Sequence, residues 1–248
     1  MNKVRSFFVT IFRVVERYPR VVMPIITLIL CGYGYEVLIA RPALLYQGAP
    51  KAMSAVNVNT WFRIFRNNGF IVGYSDWRGN PLWVEYALTP VDENSPHLKR
   101  PSHFQTDWRS LNRVDYTKSG YDRGHNAPNH AMSMLYGRYG QADSFLMTNI
   151  SPQKSKLNQQ VWQRLEDIEL AFFAKNFGKV WVITGPIFSD NPERLSSSWR
   201  VAIPRAFYKI YVTEETDSKP AFALAFVVPQ TVSGKEQLSS FITTIDAI

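Results

Sequence analysis

The sequence predicts an α+β domain with a mainly antiparallel sheet, behind an apolar N-terminal segment. Two observations carry this expectation: runs rich in β-branched and aromatic residues recur between turn signals, and one segment in the middle of the chain has a broad helical apolar face. With 248 residues, 46% hydrophobic and 14% aromatic, the chain has material for one sizeable core plus an appendage.

Residues 1–20 form a basic segment, with Lys3, Arg5, Arg13, Arg17 and Arg20 set against Glu16. An uncharged run follows from Val21 to Tyr35 and extends through Val37, Leu38, Ile39 and Ala40 if Glu36 lies at the far interface. Residues 21–40 are therefore expected to be a transmembrane anchor or the apolar part of a signal peptide. The positive flank puts the N-terminus in the cytoplasm and the bulk of the chain across the membrane. Residues 41–60, with Pro42, Gly48 and Pro50, read as a linker, and the globular domain is expected over 61–248.

Within that domain FIVGY and LWVEYAL, separated by Asp76 to Pro81, predict a hairpin. Thr89 to Arg109 reads as loop, and a strand-like run is expected around Arg113 to Tyr116. Ala131 to Gly137 has helical promise. The strongest helix is expected from Asn158 to about Asn176, where Val161, Leu165, Ile168, Leu170, Phe172 and Phe173 supply the apolar face and Gly178 the stop. KVWVITGPIF predicts a buried strand, Ser189 to Ser198 a polar loop, and Phe207 to Val212 and Ala221 to Val228 two more strands.

The net charge of +8 points to a polyanionic partner, nucleic acid or acidic lipid. The charge is concentrated: between Leu98 and Leu165 ten Lys or Arg face four Asp, which is six of the net eight charges. A lone Cys31 excludes an intramolecular disulfide and a cysteine-based zinc site. The same stretch holds Asp122-Arg123-Gly124-His125, then Thr148-Asn149-Ile150-Ser151-Pro152-Gln153, then LNQQVWQRLE from Leu157 to Glu166. Hydrolysis of a phosphodiester needs a base for water, a cation for the developing charge and donors for the phosphate, and this region offers each.

In order and in spacing these three motifs resemble the DNA/RNA non-specific endonuclease family, with further similarity in NPLWVEYALT and VITGPIF. The resemblance covers most of residues 70–230 and implies a ββα-metal (His-Me finger) nuclease fold. It implies His125 as general base, whose ordinary pKa near ~6.5 suits neutral pH. It implies Asn158 as the one direct protein ligand of a Mg2+ ion, with Mn2+ as a substitute. Arg123 would contact the phosphate, Asn149 would hold the site in register, and Glu166 would support the metal; Asp122 reads as a strut. Glu166 stands eight residues after Asn158; on a regular helix ~12 Å of rise separates them, so Glu166 is expected to act through water. Lys154 and Arg164 are expected beside Arg123 as substrate contacts, and His97, His103 and His130 as surface or second-layer residues. DNA, RNA or both are the expected nucleic-acid partners, and the membrane is one through the N-terminal segment. The resemblance also allows a homodimer, since the family is often dimeric, although the sequence itself carries no interface signal. The implied setting is a bacterial periplasm, favoured over a mitochondrial intermembrane space.

Two other readings compete with this one. A membrane-tethered protein that binds or imports nucleic acid without turnover would share the basic surface. Ser151 to Lys154 matches S-x-x-K and Ser189-Asp190-Asn191 matches S-D-N of penicillin-binding enzymes, but the third element, Lys118-Ser119-Gly120, lies upstream, in the wrong order.

Overall fold

A computed structural model describes residue 13 and residues 15–52, 54–92, 98–111, 115–215 and 220–248. Lys3, Arg5, His97 and the first half of the strand expected at 113–116 lie outside the described residues; Asp115 and Tyr116 are not in a strand. The chain divides into two compact units, Met1–Ala43 and Leu44–Ile248.

In the first unit, helix α1 (Pro19–Tyr35) continues as a wider helical turn over Glu36–Ala40, and none of its residues is buried. The stretch Pro19–Leu44 has a mean hydropathy of 1.8 over its most apolar window, and is long and apolar enough to cross a membrane. Glu36, the acid inside this stretch, pairs with Arg41 at 3.1 Å, which lowers the cost of a carboxylate at the end of an apolar helix.

The second unit is built on a seven-stranded sheet in the order β1-β2-β3-β6-β9-β10-β11, antiparallel at every pairing. Its strands are β1 (Arg63–Arg66), β2 (Phe70–Ser75), β3 (Asn80–Leu88), β6 (Val180–Ile187), β9 (Ala206–Val212), β10 (Ala223–Pro229) and β11 (Ile242–Thr243). The expected hairpin is β2–β3, and the VWVITGPI run is β6 at the centre. Two short ribbons lie outside this sheet: β4 (Asp122–His125) with β5 (Ile150–Gln153), and β7 (Arg194–Leu195) with β8 (Ser198–Ala202). Strand β7 falls inside the polar loop expected at Ser189 to Ser198, where only Leu195 carries an apolar signal, and β8 begins at its last residue.

Among the described residues, two longer helices complete the domain. Helix α2 (Asn129–Ser144) runs past the expected stop at Gly137, where φ is +63° and the axis breaks before a second segment continues. Helix α3 spans residues 155–177, with widened π-type turns over Leu157–Trp162 and Glu169–Ala174. Its buried face, including Leu157, Val161, Trp162, Leu165 and Phe173, packs on Val84, Tyr86, Val182, Phe207 and Tyr211 of the sheet in one core. Phe172, expected on this face, is 51% exposed, since the widened turn rotates it outward. Trp162 is 1% exposed, and truncating such a side chain costs about 3–5 kcal/mol.

A charged cluster bolts α3 to the sheet. Lys209 on β9 and Glu169 on α3 are both fully buried and meet at 2.5 Å. Tyr86 donates to the same Glu169 oxygen at 2.7 Å, and Lys209 Nζ lies 4.9 Å from the Trp162 ring centre. Neither charge was singled out in the sequence, because each is one polar residue inside an apolar run.

On the opposite face, Leu45, Ile71 and Trp83 form a smaller core. There the backbone N–H of Tyr46 donates to the carboxylate of buried Glu85. Burial pushes the Glu85 carboxyl up to about 7, the Tyr46 hydrogen bond opposing it. An unfolded Glu ionises near ~4.3, so the contribution of Glu85 to stability is complete below that value and is lost as pH rises through about 7. We therefore expect Glu85 to lower the Tm of the wild type progressively between about pH 4 and about pH 7, and Glu85→Gln to reduce that fall when both are followed by calorimetry. An equal fall in both proteins would refute the assignment.

Candidate active site

The two central motifs are the two strands of one ribbon. Asp122, Arg123, Gly124 and His125 of β4 pair with Gln153, Pro152, Ser151 and Ile150 of β5. Gly124 is required by this close pairing, because a Cβ there would lie 2.1 Å from Gln153 Oε1. Arg123 and His125, two residues apart on β4, face the same side of the ribbon, Arg123 exposed and His125 buried.

The ribbon is fastened to the start of α3 by one carboxylate. Asp122 accepts from Ser155 Oγ at 3.0 Å, from Asn158 Nδ2 at 3.0 Å and from Gln159 Nε2 at 2.8 Å. A negative charge at a helix N-terminus is also favoured by the helix dipole. With Nδ2 of Asn158 held by Asp122, its carbonyl oxygen Oδ1 is the atom left for the cleft.

Asn149 fastens the other end of β4. Its Nδ2 donates to the carbonyls of Ala127 and Ser144, both at 2.9 Å, and its Oδ1 accepts from Ala127 N at 2.9 Å. Its own carbonyl accepts from Asn126 N at 3.0 Å. Asn149 is fully buried and stands outside the cleft lining.

One cleft is lined by Arg100, Arg123, His125, His130, Asn158 and Glu166, with Gln163 and Asp167 on the α3 side. The widened first turns of α3 let Asn158, Gln163 and Glu166 share one face. His125 is 7% exposed, and its ring is packed against Phe104 and Phe145 at 5.4 and 5.0 Å between centres. Its Nε2 has no hydrogen-bond partner among the described residues. Burial, with Arg100 adding to it, lowers its pKa to about 3, so the imidazole is neutral at physiological pH. Burial raises the Glu166 carboxyl to about 8, against the pull of Lys209. Arg123 lies over the rings of Phe104 and Tyr116, 5.6 Å from each centre.

Two expected substrate contacts are elsewhere. The guanidinium of Arg164 donates to the carbonyls of Gly234 at 3.1 Å and Glu236 at 2.8 Å, so it holds the C-terminal turn rather than the cleft. Lys154 is exposed after β5, outside the cleft lining. Ser151 of the S-x-x-K pattern is fully buried and accepts from Asn126 Nδ2 at 3.3 Å, which removes it as a nucleophile. Arg100 was not singled out: it comes from a Pro-bearing loop with no local pattern, and only the tertiary fold brings it to the cleft. His130, expected at the surface or in a second layer, stands in the cleft wall.

A two-stranded ribbon carrying a neutral imidazole, closed by a helix that presents an amide oxygen and a carboxyl, is the ββα-metal nuclease fold. The DNA/RNA non-specific endonuclease family matches residues 50–248, and the chain belongs to that family. It is 29% identical over 203 residues to the mitochondrial nuclease of Saccharomyces cerevisiae, covering 72% of this chain and 60% of that one. It is 30% identical over 195 residues to mitochondrial nuclease EXOG of Danio rerio, covering 72% and 55%. With a nuclease of Serratia marcescens it shares 29% identity over 177 residues, 67% of this chain and 64% of that one. A crystal structure of the EndoG/EndoGI complex superposes with a TM-score of 0.65 at 25% identity, covering 74% of this chain and 81% of that one. The chain thus spans about 55–64% of the length of these curated relatives.

Asn149→Ala would strip partners from three buried backbone groups. We expect it to lower stability by about 2–4 kcal/mol in denaturant unfolding. A loss under about 0.5 kcal/mol would overturn the clamp.

Proposed function

We propose that this chain is a sugar-nonspecific endonuclease that hydrolyses phosphodiester bonds of DNA, RNA or both. The observation that carries the reading is one cleft holding a neutral imidazole, an amide oxygen and an exposed guanidinium: His125, Asn158 and Arg123. In this reading His125 takes the proton of the attacking water. The ring is neutral and so free to accept it, its protonated form being costly until a negative charge such as the bound phosphate stands beside it, and Phe104 and Phe145 keep the ring in place. Arg123 binds a phosphate oxygen, positioned by the two rings beneath it.

The donors fit a hard divalent cation: Oδ1 of Asn158 as ligand and the Glu166 carboxylate in support. Mg2+, with Mn2+ as a substitute, would supply Lewis-acid stabilisation of the charge that develops on the phosphate and the leaving oxygen. Asp122 aims Asn158 through its Nδ2, and Asn149 keeps β4 in register.

For the rest of the chain we propose a basic segment at 1–20, an anchor or signal at 21–40, a linker at 41–60 and the nuclease domain at 61–248. The domain then stands on the non-cytoplasmic side of a membrane, a bacterial periplasm being favoured over a mitochondrial intermembrane space. The apolar stretch Pro19–Leu44 supports this, and so do the mitochondrial relatives for the second setting.

The test is degradation of plasmid and of RNA with Mg2+ and with EDTA. We expect His125→Ala to lose cleavage by about 10²–10⁴-fold while keeping salt-sensitive binding. Unchanged cleavage would refute the base, and binding without cleavage in the wild type would favour a tethered binding protein. A second outcome follows from Glu166, held protonated below about pH 8. Cation binding needs its ionised form, so the Mg2+ concentration for half-maximal activity should fall as pH rises through that value. Glu166→Gln should flatten the dependence; a slope equal to the wild type would remove Glu166 from the cation site.

A further inference from the structure

We propose that a tryptophan-lined platform outside the catalytic cleft is a second subsite that stacks the bases of single-stranded nucleic acid; this rests on the nuclease reading above. Two adjoining clefts share Asp76 and Trp77. One continues over Trp61 and Arg63, the other over Arg194, Trp199 and Arg200. The three indoles are 52%, 57% and 72% exposed for Trp61, Trp77 and Trp199. Large apolar rings gathered at one surface point to a binding site.

The platform is pre-formed. Asp76 accepts from Arg63 Nε at 2.8 Å and from Leu111 N at 2.9 Å, joining three separate segments. Arg194 donates to the carbonyls of Trp77 at 3.3 Å and Arg200 at 2.9 Å, tying the β7–β8 ribbon to the β2–β3 turn. Little ordering entropy therefore remains to oppose binding.

Its chemistry suits a strand with unpaired bases. Arg200 lies over the Trp199 ring at 4.9 Å and Arg194 over the Trp77 ring at 5.9 Å. Each pair sets a cation for phosphate beside a flat face for a base. Three arginines line the two clefts against one carboxylate, and Asp76 is already paired with Arg63 at 2.6 Å. A duplex hides its base faces from such rings, whereas a single strand offers them. Tryptophan and arginine also populate bilayer interfaces, but two concave clefts with a carboxylate between them fit bases better than an acyl surface.

The platform also shares its support with the catalytic strand. Leu195 and Val201, on the inner side of the β7–β8 ribbon, pack with Tyr116 in one apolar cluster, and Arg123 lies over that same Tyr116 ring.

The test uses the full chain in detergent micelles with Mg2+. KM and kcat are measured for an oligothymidylate of about 20 nucleotides, longer than a typical single-strand site, and for a phosphodiester of dinucleotide length. Trp77→Ala and Trp199→Ala should each raise KM for the long strand about tenfold, leaving kcat and the short substrate unchanged, and Trp→Phe at either position should restore most of the loss. Unaltered KM for the long strand in both alanine variants, while the wild type cleaves it, would overturn the subsite alone. Failure of the wild type to cleave either substrate would instead remove the nuclease reading beneath it. Quenching of wild-type tryptophan fluorescence by brominated lipid in nanodiscs, lost in the double alanine variant without any change in KM, would assign the platform to the bilayer and overturn the proposal.

Discussion

The carboxylate of Asp122 stands at the junction of the two pieces that make the candidate site. Strand β4 brings His125, and the first turn of α3 brings Asn158; nothing in either element dictates their mutual position. Three donors from α3 converge on Asp122, three residues before His125 on the same strand. The relation between imidazole and amide is therefore set by hydrogen bonds of ordinary length to one charged acceptor, which are stronger than neutral ones. Asn149 completes the arrangement from the far side by holding the loop that follows His125.

Burial then decides the protonation states. The aromatic wall that fixes the His125 ring also removes it from water, and the ring stays neutral because a charge there would be poorly solvated. The same penalty acts in the opposite direction on Glu166, which favours its neutral acid form. Both groups are thus held neutral, the imidazole until a negative charge and the carboxyl until a positive charge enters the cleft.

Much of the sheet was legible in the sequence. LWVEYAL and VWVITGPI became the adjacent central strands β3 and β6, because long apolar and aromatic runs bounded by turns are sufficient signal. The ribbon was not legible as strands: four residues with a glycine on one side and a proline on the other show no alternation. Its residues were visible only as motifs. Charge counting found the basic region but not its directions. Arg164 stands two residues before Glu166 in sequence, yet its guanidinium turns to carbonyls of the C-terminal turn. Arg100 reaches the cleft from a loop without any periodic pattern. The Trp61, Trp77 and Trp199 surface was missed because its members are scattered over nearly 140 residues and meet only in the folded chain.

The ion pair of Lys209 and Glu169 lies where solvent does not reach. Mobile ions screen exposed charges over about 8–10 Å at ordinary ionic strength, and buried pairs far less. Added salt would loosen any hold on a polyanion while the joint between helix and sheet kept its strength. The domain is thus arranged to release a charged ligand without relaxing its own frame, so grip and rigidity respond separately to the ionic surroundings.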